Sequence, residues 1–140
     1  MSPIDRRQFV AGALAAGVMA GTRSRARAVG AGETATLALM GANNRGAQLA
    51  DAFAKRPDVR IAYVCDVDDA AIAKGIKAVT DRGGAAPQGI KDFRRALDDE
   101  AIDGLICAAP NHWHATATVL ACAAGKHVYV EKPCSHNFRE

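Results

Sequence analysis

The sequence has few of the features that mark several common classes of protein. Its four cysteines include no Cys-x-x-Cys pair, so they show no metal-type spacing. Its longest apolar stretch, residues 9–21, has 13 residues, whereas a helix across a bilayer needs about 20. Five arginines and one aspartate precede Val29, so the rest of the chain keeps 13 of the 18 basic and 14 of the 15 acidic residues, a net charge of −1. These shortages argue against a zinc-binding, a membrane-spanning and a nucleic-acid-binding protein.

Residues 1–28 have the composition of an export signal. Paired arginines, Arg6 and Arg7, precede the apolar stretch, and residues 26–28 (Ala-Arg-Ala) offer small residues for a cleavage site. The arrangement resembles a twin-arginine (Tat) signal, although Asp5 stands where that motif usually has Ser or Thr. We therefore expect a Tat-like signal peptide that engages the Tat translocase and directs the protein to the periplasm or another extracytoplasmic location. An uncleaved amphipathic anchor is the alternative.

The four cysteines are predicted to be small core residues, although an exported protein can carry disulfides. Cys65 and Cys107 lie at or near the ends of apolar, strand-like runs, and Cys122 lies in an alanine-rich, helix-like run. Cys134 directly follows Pro133 and is the one cysteine without such a setting.

Apolar runs of strand length alternate with helix-like segments from residue 35 onward. The runs are apolar on both faces, which is typical of a parallel sheet that helices cover on both sides. We therefore predict an α/β fold, a Rossmann-like doubly wound parallel sheet, in a single domain of residues 35–140 that follows a linker at residues 29–34. The predicted strands are 35–40, 59–65, 88–90, 104–108 and 127–130, and the predicted helices are 45–55, 68–79, 92–98 and 114–124.

The first strand, a glycine turn, a helix and the second strand follow the order of a dinucleotide-binding unit. Gly41 and Gly46 match the outer glycines of Gly-x-Gly-x-x-Gly, whereas Asn43 replaces the middle one. Asn tolerates left-handed backbone angles better than most residues do. The turn would bring N–H groups and a helix N-terminus to a pyrophosphate, and Asp66, at the end of the second strand, would accept hydrogen bonds from the adenosine ribose. A glycine turn of another α/β domain, with Asp66 capping a turn, is the alternative.

Polar residues follow four of the predicted strands at the point where each strand ends. Ligands of open parallel sheets bind outside the carboxyl ends of the strands. We therefore expect these four groups to meet at one rim, where they would form the ligand site. They are the turn 41–46, Asp66, residues 110–114 and residues 131–133.

His112 and His114 do not predict a metal site. Residues two apart share a face only on a strand, and this stretch begins a predicted helix. No carboxylate lies near them in the sequence, so we expect no metal here. Trp113, between them, is expected to pack or to form a wall that faces a sugar.

Residues 35–138 resemble the Gfo/Idh/MocA oxidoreductases, a family named for glucose–fructose oxidoreductase, inositol dehydrogenase and a rhizopine-catabolism protein. The resemblance rests most on residues 109–114 (APNHWH) and 123–133 (AAGKHVYVEKP). The order Pro-Asn-x-x-His, Gly-Lys-His-Val, Glu-Lys-Pro is much more specific than the glycine turn alone. The chain resembles members that are exported through Tat and have Asn-x-x-Arg-Gly-like turns.

The resemblance implies a bound NAD, with NADP disfavoured because Asp66 would repel a 2′-phosphate. It places Lys132 beside the nicotinamide and the reacting carbon as the catalytic residue. Glu131 would anchor the same loop, and Pro133 would fix its geometry, often through a cis bond. The alternative for Lys132 is an ordinary surface lysine.

Three further polar residues receive roles from the same resemblance. Arg45 would reach a cofactor phosphate or ribose, or would remain a solvated first-turn arginine. Asn111 and His114 would approach the cofactor or the sugar. The complete set of implied cofactor-binding residues is Gly41, Asn43, Asn44, Arg45, Gly46, Asp66, Pro110, Asn111, His114, Glu131, Lys132 and Pro133.

The implied activity is that of an exported sugar or polyol oxidoreductase, in which the nicotinamide takes a hydride from a carbon bearing a hydroxyl. Free NAD is scarce outside the cytoplasm and Tat carries folded proteins, so we expect a tightly held cofactor. Two alternatives remain open. One is an NAD-dependent, glycoside-cleaving relative of the same fold, and the other is a non-catalytic, truncated nucleotide-binding fragment.

Members of the family continue into a second, α+β domain. By resemblance, that domain supplies oligomer contacts, most of the sugar pocket and usually the catalytic acid/base. This chain stops at Glu140. We therefore expect the chain alone to hold the cofactor site without the base, and to form a homo-oligomer only if the second domain is present.

Overall fold

The computed structural model of the protein describes residue 30, residues 32–137 and residue 139. The predicted signal peptide therefore lies outside the described residues. Within the described part of the chain, no helix is both long enough and apolar enough to cross a membrane.

Five strands alternate with four helices and one short 3-10 helix in the described residues. The alternation matches the predicted order at every strand. The strands are β1 (Ala35–Met40), β2 (Val59–Cys65), β3 (Gln88–Ile90), β4 (Gly104–Cys107) and β5 (His127–Val130), and the helices are α1 (Asn44–Ala54), α2 (Asp69–Thr80), α3 (Arg94–Leu97) and α4 (His114–Ala123), with the 3-10 helix Asn111–Trp113 directly before α4.

The five strands form one parallel sheet in the order β3-β2-β1-β4-β5. The chain runs outward from β1 to β3 and then crosses back, so that β4 pairs with the other side of β1. This reversal creates a crevice at the carboxyl ends of β1 and β4, where ligands of such sheets bind. The predicted Rossmann-like α/β fold is confirmed.

The sheet buries apolar side chains on both faces, as continuous apolar runs predict. Because successive side chains of a strand point to opposite faces, Leu39 and Ile106 pack with α1 and α2, whereas Ala38 and Leu105 pack in a second cluster with α3 and α4. All four of these side chains are fully buried. The two layers hold the strand ends, and therefore the rim, in a fixed arrangement.

Element boundaries differ slightly from the prediction. The third helix is only four residues long, Arg94–Leu97, and the fourth strand ends at Cys107. A 3-10 turn at Asn111–Trp113 precedes the last helix. Helical structure therefore begins at Asn111, one turn earlier than the predicted start at residue 114. The second helix begins after Asp68, whose side chain caps it by accepting from the N–H of Ala70.

The cysteine prediction is confirmed at two positions and wrong at a third. Cys65 and Cys107 are buried, and burial raises the pKa of the Cys65 thiol to about 12. Cys122 is exposed, because it lies on a face of α4 that does not contact the sheet. Cys134 is exposed as well.

Candidate functional site

The glycine turn between β1 and α1 is tightly enclosed. Gly41 has a φ of +83°, a conformation that residues with side chains rarely adopt. A Cβ added at Gly41 would lie 2.5 Å from the backbone nitrogen of Ala109, and one added at Gly46 would lie 1.7 Å from the carbonyl oxygen of Gly41. Both positions therefore require glycine.

Asn43 forms the N-cap of α1. Its φ of −78° and ψ of −177° are extended, so the position does not use the left-handed conformation considered for it above. Its side-chain oxygen accepts hydrogen bonds from the N–H of Asn44 at 2.8 Å and from the Lys74 ammonium at 3.1 Å. Lys74 was not predicted as a site residue, although it brings a positive charge from α2 to the turn. The adjacent Gly75 is buried, and it could have indicated which face of α2 packs inward and therefore where Lys74 lies.

Asp66 connects the end of β2 to the glycine turn. Its Oδ2 accepts a hydrogen bond from the N–H of Ala42 at 2.8 Å, and its Oδ1 accepts one from the N–H of Asp68 at 3.1 Å. The carboxylate therefore does cap a turn. Each carboxylate oxygen has two acceptor positions, so both oxygens keep one for a further donor such as a ribose hydroxyl.

A cleft of about 520 Å³ opens at the carboxyl ends of the strands beside Asp66. Phe93 and Trp113 contact each other edge to face in its wall, with ring centroids 6.2 Å apart. The wall also includes Gly41, Asp66, Val67 and Pro110. A mostly apolar cleft with a carboxylate at one side suits a flat, partly apolar group that carries hydroxyls.

Two cations line the same cleft, and both are paired with carboxylates. Lys91 lies 2.6 Å from a carboxylate oxygen of Asp69. Arg94 lies 2.8 Å from Asp92, and the hydrogen bond from Arg94 holds the pKa of the Asp92 carboxyl below its usual range. The pair of Lys91 with Asp69 was not predictable from the sequence because its partners are 22 residues apart and meet only through the fold.

Arg45 and Glu131 form an ion pair between the start of α1 and the end of β5. Two guanidinium nitrogens of Arg45 donate to Glu131 Oε1 at 2.9 and 2.7 Å, and the Tyr129 hydroxyl donates to the same oxygen at 3.2 Å. The hydrogen bond from Arg45 lowers the pKa of the Glu131 carboxyl. The side chain of Arg45 is 54% exposed and that of Glu131 is 16% exposed. Arg45 is therefore neither merely solvated nor free, and Glu131 is anchored.

Lys132 and Pro133 follow this ion pair at the rim. Both residues are exposed. The peptide bond between them is cis, as the resemblance implied. Asn111, in the 3-10 helix after β4, is exposed at the same rim.

His114 lies below the rim rather than at its surface. It is 1% exposed, and its two ring nitrogens contact the backbone carbonyl oxygens of Pro133 and Ala109. Both nitrogens thus face protein atoms, and the expected approach of His114 to the cofactor or the sugar stays a prediction.

The rim fits a dinucleotide. Backbone atoms pack closely against Gly41 and Gly46, in the space that a side chain would need. The first N–H groups of α1 have no acceptors within the helix and are therefore able to bind a phosphate. Gly41, Asp66 and Pro110 meet in the cleft, while Arg45, Glu131 and Lys132 lie towards β5. Among the described residues, no group of three or more His, Cys, Asp or Glu side chains is placed to hold a metal ion.

Similar proteins share both the sequence pattern and the fold. A glycosyl hydrolase family 109 protein from Saccharopolyspora erythraea is 37% identical over 105 residues, which cover 72% of this chain and 23% of that protein. An NAD binding oxidoreductase from Klebsiella pneumoniae is 28% identical, with a TM-score of 0.62 over 76% of this chain and 29% of the other. A scyllo-inositol dehydrogenase from Lactobacillus casei, solved with NAD(H) and scyllo-inositol, shares the fold at 23% identity, with a TM-score of 0.66 over 76% of this chain and 30% of the other. The chain thus spans less than a third of the length of these three proteins.

The family-level comparison covers most of the chain. The model of the Gfo/Idh/MocA oxidoreductase family, with an NAD-binding Rossmann fold, matches residues 17–140. This match includes the glycine turn, Asp66 and both rim segments. The chain therefore belongs to the Gfo/Idh/MocA oxidoreductase family and carries its NAD-binding Rossmann fold.

Proposed function

We propose that this chain is the cofactor-binding part of an exported oxidoreductase that acts on a sugar or polyol. The observation that supports it most is the position of Asp66, whose carboxylate lies at the cleft and bonds the glycine turn at the N–H of Ala42. An adenosine ribose at Asp66 would have its pyrophosphate over the turn and the start of α1. The nicotinamide end would then extend towards β4 and β5, where Lys132 lies.

The cofactor is proposed to be NAD, with NADP disfavoured. Asp66 would place a negative charge beside a 2′-phosphate. Lys91 and Arg94 are the cations nearest to the cleft, and each is already paired, with Asp69 and Asp92 respectively. The 2′-phosphate would therefore meet the Asp66 carboxylate beside two cations whose charges are already balanced by carboxylates.

Bound NAD would supply a hydride acceptor, and residues of this chain would orient it. Glu131, held by Arg45 and Tyr129, fixes the chain direction just before Lys132. The Lys132 ammonium would donate to the substrate oxygen on the reacting carbon. This chain spans only 23% of the glycosyl hydrolase family 109 relative. We propose that the base that takes the hydroxyl proton lies in a region that corresponds to the unmatched part of such relatives. A positioned base typically contributes 10²–10⁴ in rate.

Binding of the cofactor by the chain itself is the direct test. Titration calorimetry of the 140-residue chain should show weak but saturable NAD binding, with NADP at least about tenfold weaker. Asp66→Asn should reduce this preference. Equal affinity for the two cofactors in the unaltered chain would contradict the assignment of NAD, and absence of binding would contradict the proposed site.

A second candidate activity is NAD-dependent cleavage of glycosides. The relative that is 37% identical carries the name glycosyl hydrolase family 109. In such a reaction, a sugar carbon would be transiently oxidised, and loss of a proton from the adjacent carbon would allow the aglycone to be eliminated. Water would add to the resulting double bond, and the hydride would return to the oxidised carbon, so no NADH would accumulate. A longer protein that contains this chain should be assayed with aryl glycosides. Aglycone release without net NADH would favour cleavage, and stoichiometric NADH would favour the dehydrogenase.

Export through Tat is proposed from the paired arginines of the N-terminus. Tat carries folded proteins, so NAD would be loaded in the cytoplasm, held tightly and recycled within each turnover. Replacing Arg6 and Arg7 together by lysine should keep the precursor in the cytoplasm, as measured by fractionation and blotting. Unchanged export of this variant would refute the Tat route. Protein recovered from the periplasm should contain NAD without any added.

A further inference from the structure

His114 is the one buried histidine of the chain. It is 1% exposed and begins α4, whereas His112, His127 and His136 are all exposed. Its imidazole lies between the segment that follows β4 and the loop that follows β5. A buried polar ring needs partners on both of its nitrogens.

Both partners of the ring are backbone carbonyl oxygens. Nδ1 lies 2.5 Å from the oxygen of Pro133, and Nε2 lies 2.8 Å from the oxygen of Ala109. Carbonyl oxygens accept hydrogen bonds and cannot donate them, and a neutral imidazole carries only one N–H. A neutral ring would therefore direct a lone pair at one of the two oxygens in a buried place, which is costly. Only the doubly protonated ring satisfies both contacts.

The two carbonyl groups belong to segments that follow two neighbouring strands, β4 and β5. Ala109 precedes Pro110 in the cleft wall, and its backbone nitrogen borders the glycine turn at Gly41. Pro133 directly follows Lys132. One imidazole thus connects the wall of the cleft to the loop that carries the lysine.

We propose that His114 is a positioning residue, which donates from both ring nitrogens and thereby holds the Lys132–Pro133 loop against the segment after β4. The inference rests on the proposed function, in which Lys132 lies beside the nicotinamide. His114 itself touches neither cofactor nor substrate. Its contact with the carbonyl of Pro133 should therefore act chiefly at the nicotinamide end of the site, where Lys132 lies.

The first test compares two ligands that differ only at that end. NAD and ADP-ribose share the adenosine, the pyrophosphate and the second ribose, but ADP-ribose lacks the nicotinamide. The variant His114→Gln should lower the affinity of the 140-residue chain for NAD by about tenfold, the effect of losing one hydrogen bond from a charged donor. Its affinity for ADP-ribose should stay within about twofold. The matched control His127→Gln, at the opposite end of β5, should change neither affinity.

The second test observes the ring directly. Nitrogen NMR of the unaltered chain, with labelled histidine and near neutral pH, should show four imidazoles. Single variants at the three exposed positions, His112→Gln, His127→Gln and His136→Gln, assign the fourth imidazole to His114 by elimination. Both nitrogens of His114 should carry a directly bonded proton. A nitrogen without a proton would overturn the proposal, since only one loop could then be held. This measurement does not need His114→Gln to fold or any ligand to bind.

The outcomes separate the inference from the proposed function. If the unaltered chain binds neither ligand, the proposed function fails, and the ring spectrum alone decides the protonation of His114. If the unaltered chain binds NAD no better than ADP-ribose, or if His114→Gln weakens both ligands equally, the positioning role is refuted. Selective loss of NAD affinity together with a doubly protonated ring supports it.

Discussion

Replacing Gly46 by alanine should destroy the cofactor site with a single methyl group. The added Cβ would lie 1.7 Å from the carbonyl oxygen of Gly41 and 2.7 Å from its carbonyl carbon, and both atoms belong to the backbone. Ordinary contacts require at least about 3.0 Å, so α1 and the turn would have to separate by roughly 1.3 Å. No side-chain rotation can supply that distance, because the conflict is between a Cβ and main-chain atoms.

Two magnitudes follow from this displacement. Overpacking typically costs about 1–3 kcal/mol, and we expect the upper end of that range in the free energy of unfolding because the neighbouring backbone is held by β1 and β4. NAD affinity should fall by about 100-fold, or about 2.7 kcal/mol, because the N–H groups of the turn no longer converge on the pyrophosphate.

Urea unfolding and titration calorimetry on the same samples measure the two effects separately. The control is Gly30→Ala, whose added Cβ would meet only atoms of the Glu33 side chain, at 3.5–3.7 Å, an ordinary contact distance. It should change neither stability nor affinity. If Gly46→Ala binds NAD as tightly as the unaltered chain does, the turn does not hold the pyrophosphate and the proposed site is wrong.

Three further predictions concern charge and reactivity. Asp66→Ser should narrow the difference between NAD and NADP affinity to within about threefold, mainly by strengthening NADP, and calorimetry with both cofactors measures it. Glu131 has a lowered pKa because of its hydrogen bond from Arg45. The contact is thus fully formed above the ordinary glutamate pKa of about 4.3 and is lost as the pH falls through the lower, folded-state value. The Arg45 side-chain NMR signals should show an acidic inflection, and Glu131→Gln should abolish it. Iodoacetamide at pH 8 should modify Cys134 quickly and Cys65 only after unfolding, since burial raises the pKa of Cys65 to about 12; peptide mass spectrometry reports both rates.

The sheet and the glycine positions were predictable because their signals are local. A strand shows itself by a continuous apolar run, and Gly41 and Gly46 show themselves by spacing within one turn. Asp66 was predictable for the same reason, since it directly follows β2. The prediction that Cys122 is buried was wrong. An alanine-rich composition indicates a helix but does not indicate which face of the helix packs against the sheet.

The contacts that arrange the rim were not predictable, because each joins residues far apart in the chain. His114 carries the spacing of a ligand-binding residue, yet its ring is fixed by carbonyl groups of residues 109 and 133, whose approach depends on the pairing of β4 with β5. The ion pair of Lys91 with Asp69 likewise depends on the pairing of β3 with β2, because Lys91 directly follows β3. The periodicity of apolar residues does not indicate the distance between side chains on different elements.

The ion pair between Arg45 and Glu131 also imposes an order of assembly. Its partners are 86 residues apart and join the first helix to the last strand. A chain emerging from the ribosome can form β1, α1 and β2 early, but Arg45 has no partner at the rim until β5 has been synthesised and has paired with β4. The segment that carries Lys132 is thus the last part of the rim to be synthesised.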